Sequence, residues 1–167
     1  DSTVTYTYDT STAIVQTAAG QSHTTGADAF DFNLFDTTTT DTYERIGDTG
    51  QMRVVLSASV TDVTGADGSH SHTISAVTYT YDEEARIASA AGTSSTTGTD
   101  AFDFNDFTTT TTDSYSIIGG VGPAGTGQAR VEESVSHTDV AGEDDSESHT
   151  DSTVTYTYDT STAIVQT

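Results

Sequence analysis

The chain of 167 residues carries 26 acids against four basic residues, all arginine, and its net charge of -22 argues against nucleic acid or an anionic membrane surface as a partner. Cysteine and lysine are both absent, which excludes disulfide staples and lysine–asparagine cross-links. No apolar run approaches the roughly 20 residues of a membrane-spanning helix, and the hydrophobic share of 32% is thin for small units standing alone.

Repetition organises what remains. DSTVTYTYDTSTAIVQT at Asp1–Thr17 returns letter for letter at Asp151–Thr167, and a diverged copy, AVTYTYDEEARIASAAG, starts at Ala76. We read one period of roughly 150 residues in a longer array, followed by the start of the next. The period divides into two repeats of about 75 residues, over residues 1–76 and 77–153, with residues 154–167 opening a third as a copy of 4–17. Asp28–Asn33 returns as Asp100–Asn105, Thr40–Tyr43 as Thr112–Tyr115, and Gly50–Val54 as Gly127–Val131. The two repeats are expected to share one fold and to differ mainly at residues 119–126, where the second copy gains residues around Pro123.

In chain order every predicted element is a strand. Val4, Tyr6 and Tyr8 alternate with Thr3, Thr5 and Thr7, the period of a half-buried strand. Ala13–Ala19 follows a turn, Phe30 and Phe32 alternate with Asp31 and Asn33 in a third strand, and Thr42–Ile46 is a short fourth. Gln51–Thr64 is a long fifth, Gly65–Gly68 a turn, and Ser69–Asp82 a sixth that runs into the Tyr strand of the next copy without a linker. Folding the fifth and sixth strands about the Gly65–Gly68 turn as an antiparallel hairpin sets Val60 against Thr73, Leu56 against Val77, Val54 against Tyr79 and Met52 against Tyr81, a register that pairs apolar and aromatic residues on one face. The same matching in the second copy sets Val131 against Tyr156, Ala129 against Tyr158 and Glu133 against Val154. Met52, Val54, Leu56, Val77, Tyr79, Tyr81, Val131, Val154, Tyr156 and Tyr158 are thus the expected packing between repeats. The fold class is all-β, as tandem β-sandwich-like repeats sharing continuous strands.

Hard oxygen donors cluster at Asp28, Asp31 and Asn33, and again at Asp100, Asp103 and Asn105, in a pattern that suits Ca²⁺; the competing reading is a solvated acidic surface. Ca²⁺ is the one candidate cofactor. His70 and His72 share a strand face and form a weaker transition-metal candidate, whereas His23 and His137 show no sequence partner. The threonine runs Thr37, Thr38, Thr39, Thr40 and Thr108, Thr109, Thr110, Thr111, Thr112 are candidates for O-glycosylation, or else a polar edge strand or loop. The aromatic residues read as packing, and no constellation reads as catalytic, so an enzyme is not expected.

Val4–Asp9, Asp28–Asn33 and Gly50–Val54, with their copies, resemble the tandem Ig-like and cadherin-like extender repeats of giant bacterial surface adhesins. The resemblance implies an extracellular or cell-surface location, a filament or adhesin stalk giving reach and stiffness, other copies of the repeat as partners, and Ca²⁺ between units. The alternative is a glycan- or cation-binding surface module. Neither reading involves nucleic acid or membrane insertion.

Overall fold

The computed structural model describes residues 1–47, 50–119, 127–159 and 165–166. The chain is all-β, as its alternating Val, Thr and Tyr residues dictate. Nine strands form one antiparallel sheet in strict chain order: β1 Ser2–Tyr8, β2 Val15–Ala27, β3 Asn33–Ile46, β4 Gln51–Gly65, β5 His70–Tyr81, β6 Ile87–Thr99, β7 Asn105–Ile118, β8 Gln128–Gly142 and β9 Glu147–Thr155. A further pair, β10 Thr157–Tyr158 and β11 Val165–Gln166, begins the same hairpin that β1 and β2 form. The sheet does not close, and no second sheet or helix covers it among the described residues. Among the described residues only Ala18, Ala85 and Ile118 form buried apolar positions, so the expected sandwich layering is not seen there.

The repeats are legible in the backbone. β1–β4 and β5–β8 follow the same path, with matching bulges at Thr7/Tyr8 and Thr80/Tyr81, and at Thr42/Tyr43 and Ser114/Tyr115. Left-handed residues recur at equivalent turns, Ala13 with Ala85 and Asp31 with Asp103. β5 crosses the repeat boundary unbroken, and β8 holds β9 as β4 holds β5. Of the segment expected to distinguish the repeats, residues 120–126 lie outside the described residues.

Three expectations are corrected. Phe30 and Phe32 do not lie in a strand: residues 28–32 form a turn that Asp28 caps, its Oδ1 accepting hydrogen bonds from the backbone N–H groups of Phe30 and Phe32 at 3.2 and 2.8 Å. That turn delivers the chain into one long strand, β3, where two short ones were expected. The threonine runs lie in β3 and β7, interior strands paired on both sides, and so are neither edge strand nor loop.

The third correction concerns the register between β4 and β5, which is shifted by one residue from the apolar match. Leu56 faces Thr78, Ser57 faces Val77 and Val60 faces Ile74. At the next junction Glu133 faces Thr155 and Ser134 faces Val154. Turn chemistry sets this register. Gly68 takes φ 92, Gly65 N–H donates to the Ser69 carbonyl at 2.8 Å, and Asp67 Oδ1 accepts from Ser69 N–H at 3.0 Å. Downstream, Val55 is an extra residue opposite Thr42/Tyr43, which lets the strand change its side-chain alternation.

Candidate functional site

The register lays out two faces. On one, a threonine row crosses eight strands: Thr24, Thr37, Thr61, Thr73, Thr96, Thr109, Thr138 and Thr150 stand opposite one another in succession. A parallel row of small hydroxyls runs through Ser2, Ser22, Thr39, Ser59, Ser75, Ser94, Thr111, Ser136 and Ser152. Neighbouring hydroxyls bond in pairs, Thr37 to Thr61 at 3.0 Å, Thr73 to Thr96 at 2.9 Å, Thr109 to Thr138 at 2.9 Å and Ser59 to Ser75 at 2.8 Å. Such cross-strand pairs contribute roughly 0.2–1 kcal/mol each, and in this sheet they stand where a core would be. The candidate glycosylation residues divide by parity: Thr37, Thr39, Thr109 and Thr111 join this hydroxyl face, while Thr38, Thr40, Thr108, Thr110 and Thr112 point to the other.

Glycines and aromatics interlock at both ends of the hydroxyl rows. The Phe35 ring lies over Gly26 and the Phe107 ring over Gly98, while Tyr43 and Tyr115 reach over Gly20 and Gly92. Of the expected packing residues, the tyrosines at the junctions do bridge repeats: Tyr81 Oη donates to the Val54 carbonyl at 2.7 Å, and Tyr158 Oη to the Val131 carbonyl at 2.6 Å. Tyr156 lies 6.5 Å from Tyr158, ring to ring. The shifted register separates Leu56 from Val77, which occupy opposite faces.

The acidic groups named as Ca²⁺ candidates serve the turns. Asp28 Oδ2 accepts from Asn33 Nδ2 at 2.9 Å, and Asp100 repeats the arrangement with Phe102, Phe104 and Asn105. Backbone N–H donors hold both carboxyls below their ordinary pKa, those of Phe32 for Asp28 and of Phe104 for Asp100 contributing most. Asp103 accepts from Thr99 Oγ1 at 2.9 Å, and Asp31 occupies the left-handed turn position. His70 Nδ1 meets Thr99 Oγ1 at 2.8 Å and His72 Nδ1 meets Asp62 at 2.6 Å, so these two imidazoles have separate partners. His23 pairs with Asp36 at 2.8 Å.

The sequence reading missed one constellation. His137 and Asp139 on β8 stand opposite Asp151 and His149 on β9. His137 Nδ1 lies 2.7 Å from Asp151 and its Nε2 3.2 Å from Asp139. His149 Nδ1 lies 2.8 Å from Asp139 and its Nε2 3.3 Å from Asp151. The imidazoles meet edge to face, with centroids 4.1 Å apart. The signal was present as His137-Thr138-Asp139 and His149-Thr150-Asp151, two identical tripeptides whose first and third residues share a face and cross once the strands run antiparallel. At the preceding junction only Asp62 and His72 occupy equivalent places.

This junction responds to pH from both sides. The hydrogen bond that His149 makes to Asp139 raises the His149 pKa, and the hydrogen bonds from His149 and His137 lower those of Asp139 and Asp151 respectively. A raised imidazole pKa adds stability that is complete below the unfolded value and fades as pH rises through the folded one. Lowered carboxylate pKa values add stability that is present above the unfolded range and fades as pH falls through the folded one. The β8–β9 pairing is therefore tightest between about pH 4 and 6.5. The neighbouring strand β7 sets Thr108 and Thr110 beside the cluster and Asp106 beyond them, while Glu147 extends the acidic side on β9. In metal-free buffer, amides of β9 should show more protection at pH 5.5 than at pH 8 after correction for intrinsic exchange. Equal protection would remove the ion pairs from the stability of this junction.

No family model, curated protein or solved structure matches the chain.

Proposed function

We propose that the chain is a structural segment of a long tandem-repeat filament of the extracellular, adhesin-stalk kind, in which the sheet itself is the fibre. One observation carries this reading: β9, whose Asp151–Thr155 copies Asp1–Thr5 at the start of β1, continues the sheet by pairing with β8 as β5 pairs with β4. A further repeat can therefore extend the meander without a new interface. At about 4.8 Å per strand, each four-strand repeat lengthens the ribbon by about 19 Å. Reach then comes from strand count, and stiffness from ladders that cross every repeat boundary. The sandwich layering read from the sequence enters as a second copy stacked on the ribbon, covering Val60 and Ile74, which stand side by side at 38% and 53% exposure. Nothing in this reading requires catalysis.

Hydrogen exchange on the monomer tests it. β1 has one neighbour, whereas Val77 and Thr78 of β5 lie between β4 and β6, so amides of Val4 and Thr5 should exchange faster than those of Val77 and Thr78 although their sequences match. Equal protection would mean that each repeat closes on itself, and the continuous ribbon would be wrong.

A further inference from the structure

We propose that the β8–β9 junction is a binding site for a divalent first-row transition metal ion, with His137 and His149 as nitrogen donors and Asp139 and Asp151 as oxygen donors. Among the described residues, His137, Asp139 and His149 form the group whose donor atoms all lie within 4.8 Å of one another. Asp151 completes the set, since its carboxylate already touches both imidazoles. The acidic groups at Asp28 and Asp100 form no such group.

The donors come from directly opposed residues of paired strands, so the backbone ladder fixes their spacing before any ion arrives. They alternate around a square, histidine next to aspartate at every side. Metal–nitrogen bonds of about 2.0 Å need the two donor nitrogens roughly 4 Å apart across that square, or closer in a tetrahedral site. The imidazoles, now edge to face with centroids 4.1 Å apart, would have to rotate apart to present both nitrogens to one ion. Half-exposed rings, at 44% and 52%, leave room for that rotation and for water at any open position. A mixed nitrogen and oxygen set in a flat arrangement suits copper(II) or nickel(II), and zinc(II) in tetrahedral form. Metal binding needs deprotonated nitrogen and oxygen donors, so affinity should fall as pH drops. The bound ion would tie the last strand of one repeat to the first strand of the next. This proposal stands whether or not the chain is a filament.

The test titrates the full chain, stripped with EDTA, with copper(II) at pH 7.5. One ion per chain should bind, its paramagnetic resonance spectrum should show two nitrogen donors, and the melting midpoint should rise. His137→Gln and His149→Gln should each leave one nitrogen and weaken binding roughly tenfold or more. Asp139→Asn should weaken binding while keeping both nitrogens. His72→Gln, on the equivalent strand of the preceding junction, should change nothing. All four residues are exposed or half-exposed, and circular dichroism verifies that each variant keeps its sheet. Copper that binds with the same nitrogen count in His137→Gln and His149→Gln, or that magnesium displaces at matched ionic strength, would overturn the proposal.

Discussion

Replacing Gly98 with alanine should destabilise the sheet by about 1–3 kcal/mol, the range of an overpacked site. For a chain of this size that is a fall of several degrees in melting midpoint, roughly 2–4 °C for each kcal/mol. A Cβ at Gly98 would collide with the His70 carbonyl oxygen as well as with the Phe107 ring, and a backbone atom held in a ladder has little room to move. At Gly26 the nearest atoms to the added carbon all belong to the Phe35 ring, which is 37% exposed and can swing outward. At Gly20 the added carbon comes no closer than 3.4 Å to anything, an ordinary contact. The expected order of damage is therefore Gly98, then Gly26, then Gly20, with Gly20→Ala near neutral because alanine also loses less chain entropy on folding. Calorimetry on the three variants measures it. If all three cost the same, generic strand propensity decides, and the ring-over-glycine packing adds nothing specific.

The strand content and the hairpins across the repeat boundary were legible because Val, Tyr and Thr alternate there, and because one turn, Gly65–Gly68, is unmistakable. β3 and β7 were not, for a physical reason. Threonine occupies both faces of these strands, so period two disappears from the sequence, and the eye moves to Phe30 and Phe32, which belong to a turn. Phe30 is 91% exposed, a hydrophobic residue placed by Asp28 rather than by burial. The one-residue error in register has a related origin. The apolar pairs that supported the expected register presume a covered face, but in an open sheet with three buried apolar residues among those described burial exerts little force on register. The Asp67 turn then decides. The His–Asp square could be read only after that register was known, since its four members come from two strands.

Raising the ionic strength should stabilise this sheet, and calcium should add nothing beyond that. The charge of -22 is spread over a single layer with both faces in solvent. Some acids are held side by side: Asp36 and Asp62 stand directly opposite, each paired with a histidine, His23 and His72. Two like charges about 4 Å apart repel by roughly 1 kcal/mol in water. At 0.01 M salt the screening length is about 30 Å, several strands wide, and at 1 M it is about 3 Å, less than one strand spacing. Sodium chloride should therefore raise the melting midpoint steadily across this range, with potassium chloride equivalent, as screening requires. Calcium chloride at the same ionic strength should follow the same curve. Asp28 and Asp100 already accept backbone and asparagine donors, and a cation would have to displace these turn contacts to gain their oxygens. A rise with calcium above the sodium curve, reversed by EDTA, would restore a calcium site in the Asp28 and Asp100 turns. It would also mean that those turns rearrange on binding, which Asp28→Asn and Asp100→Asn would then abolish.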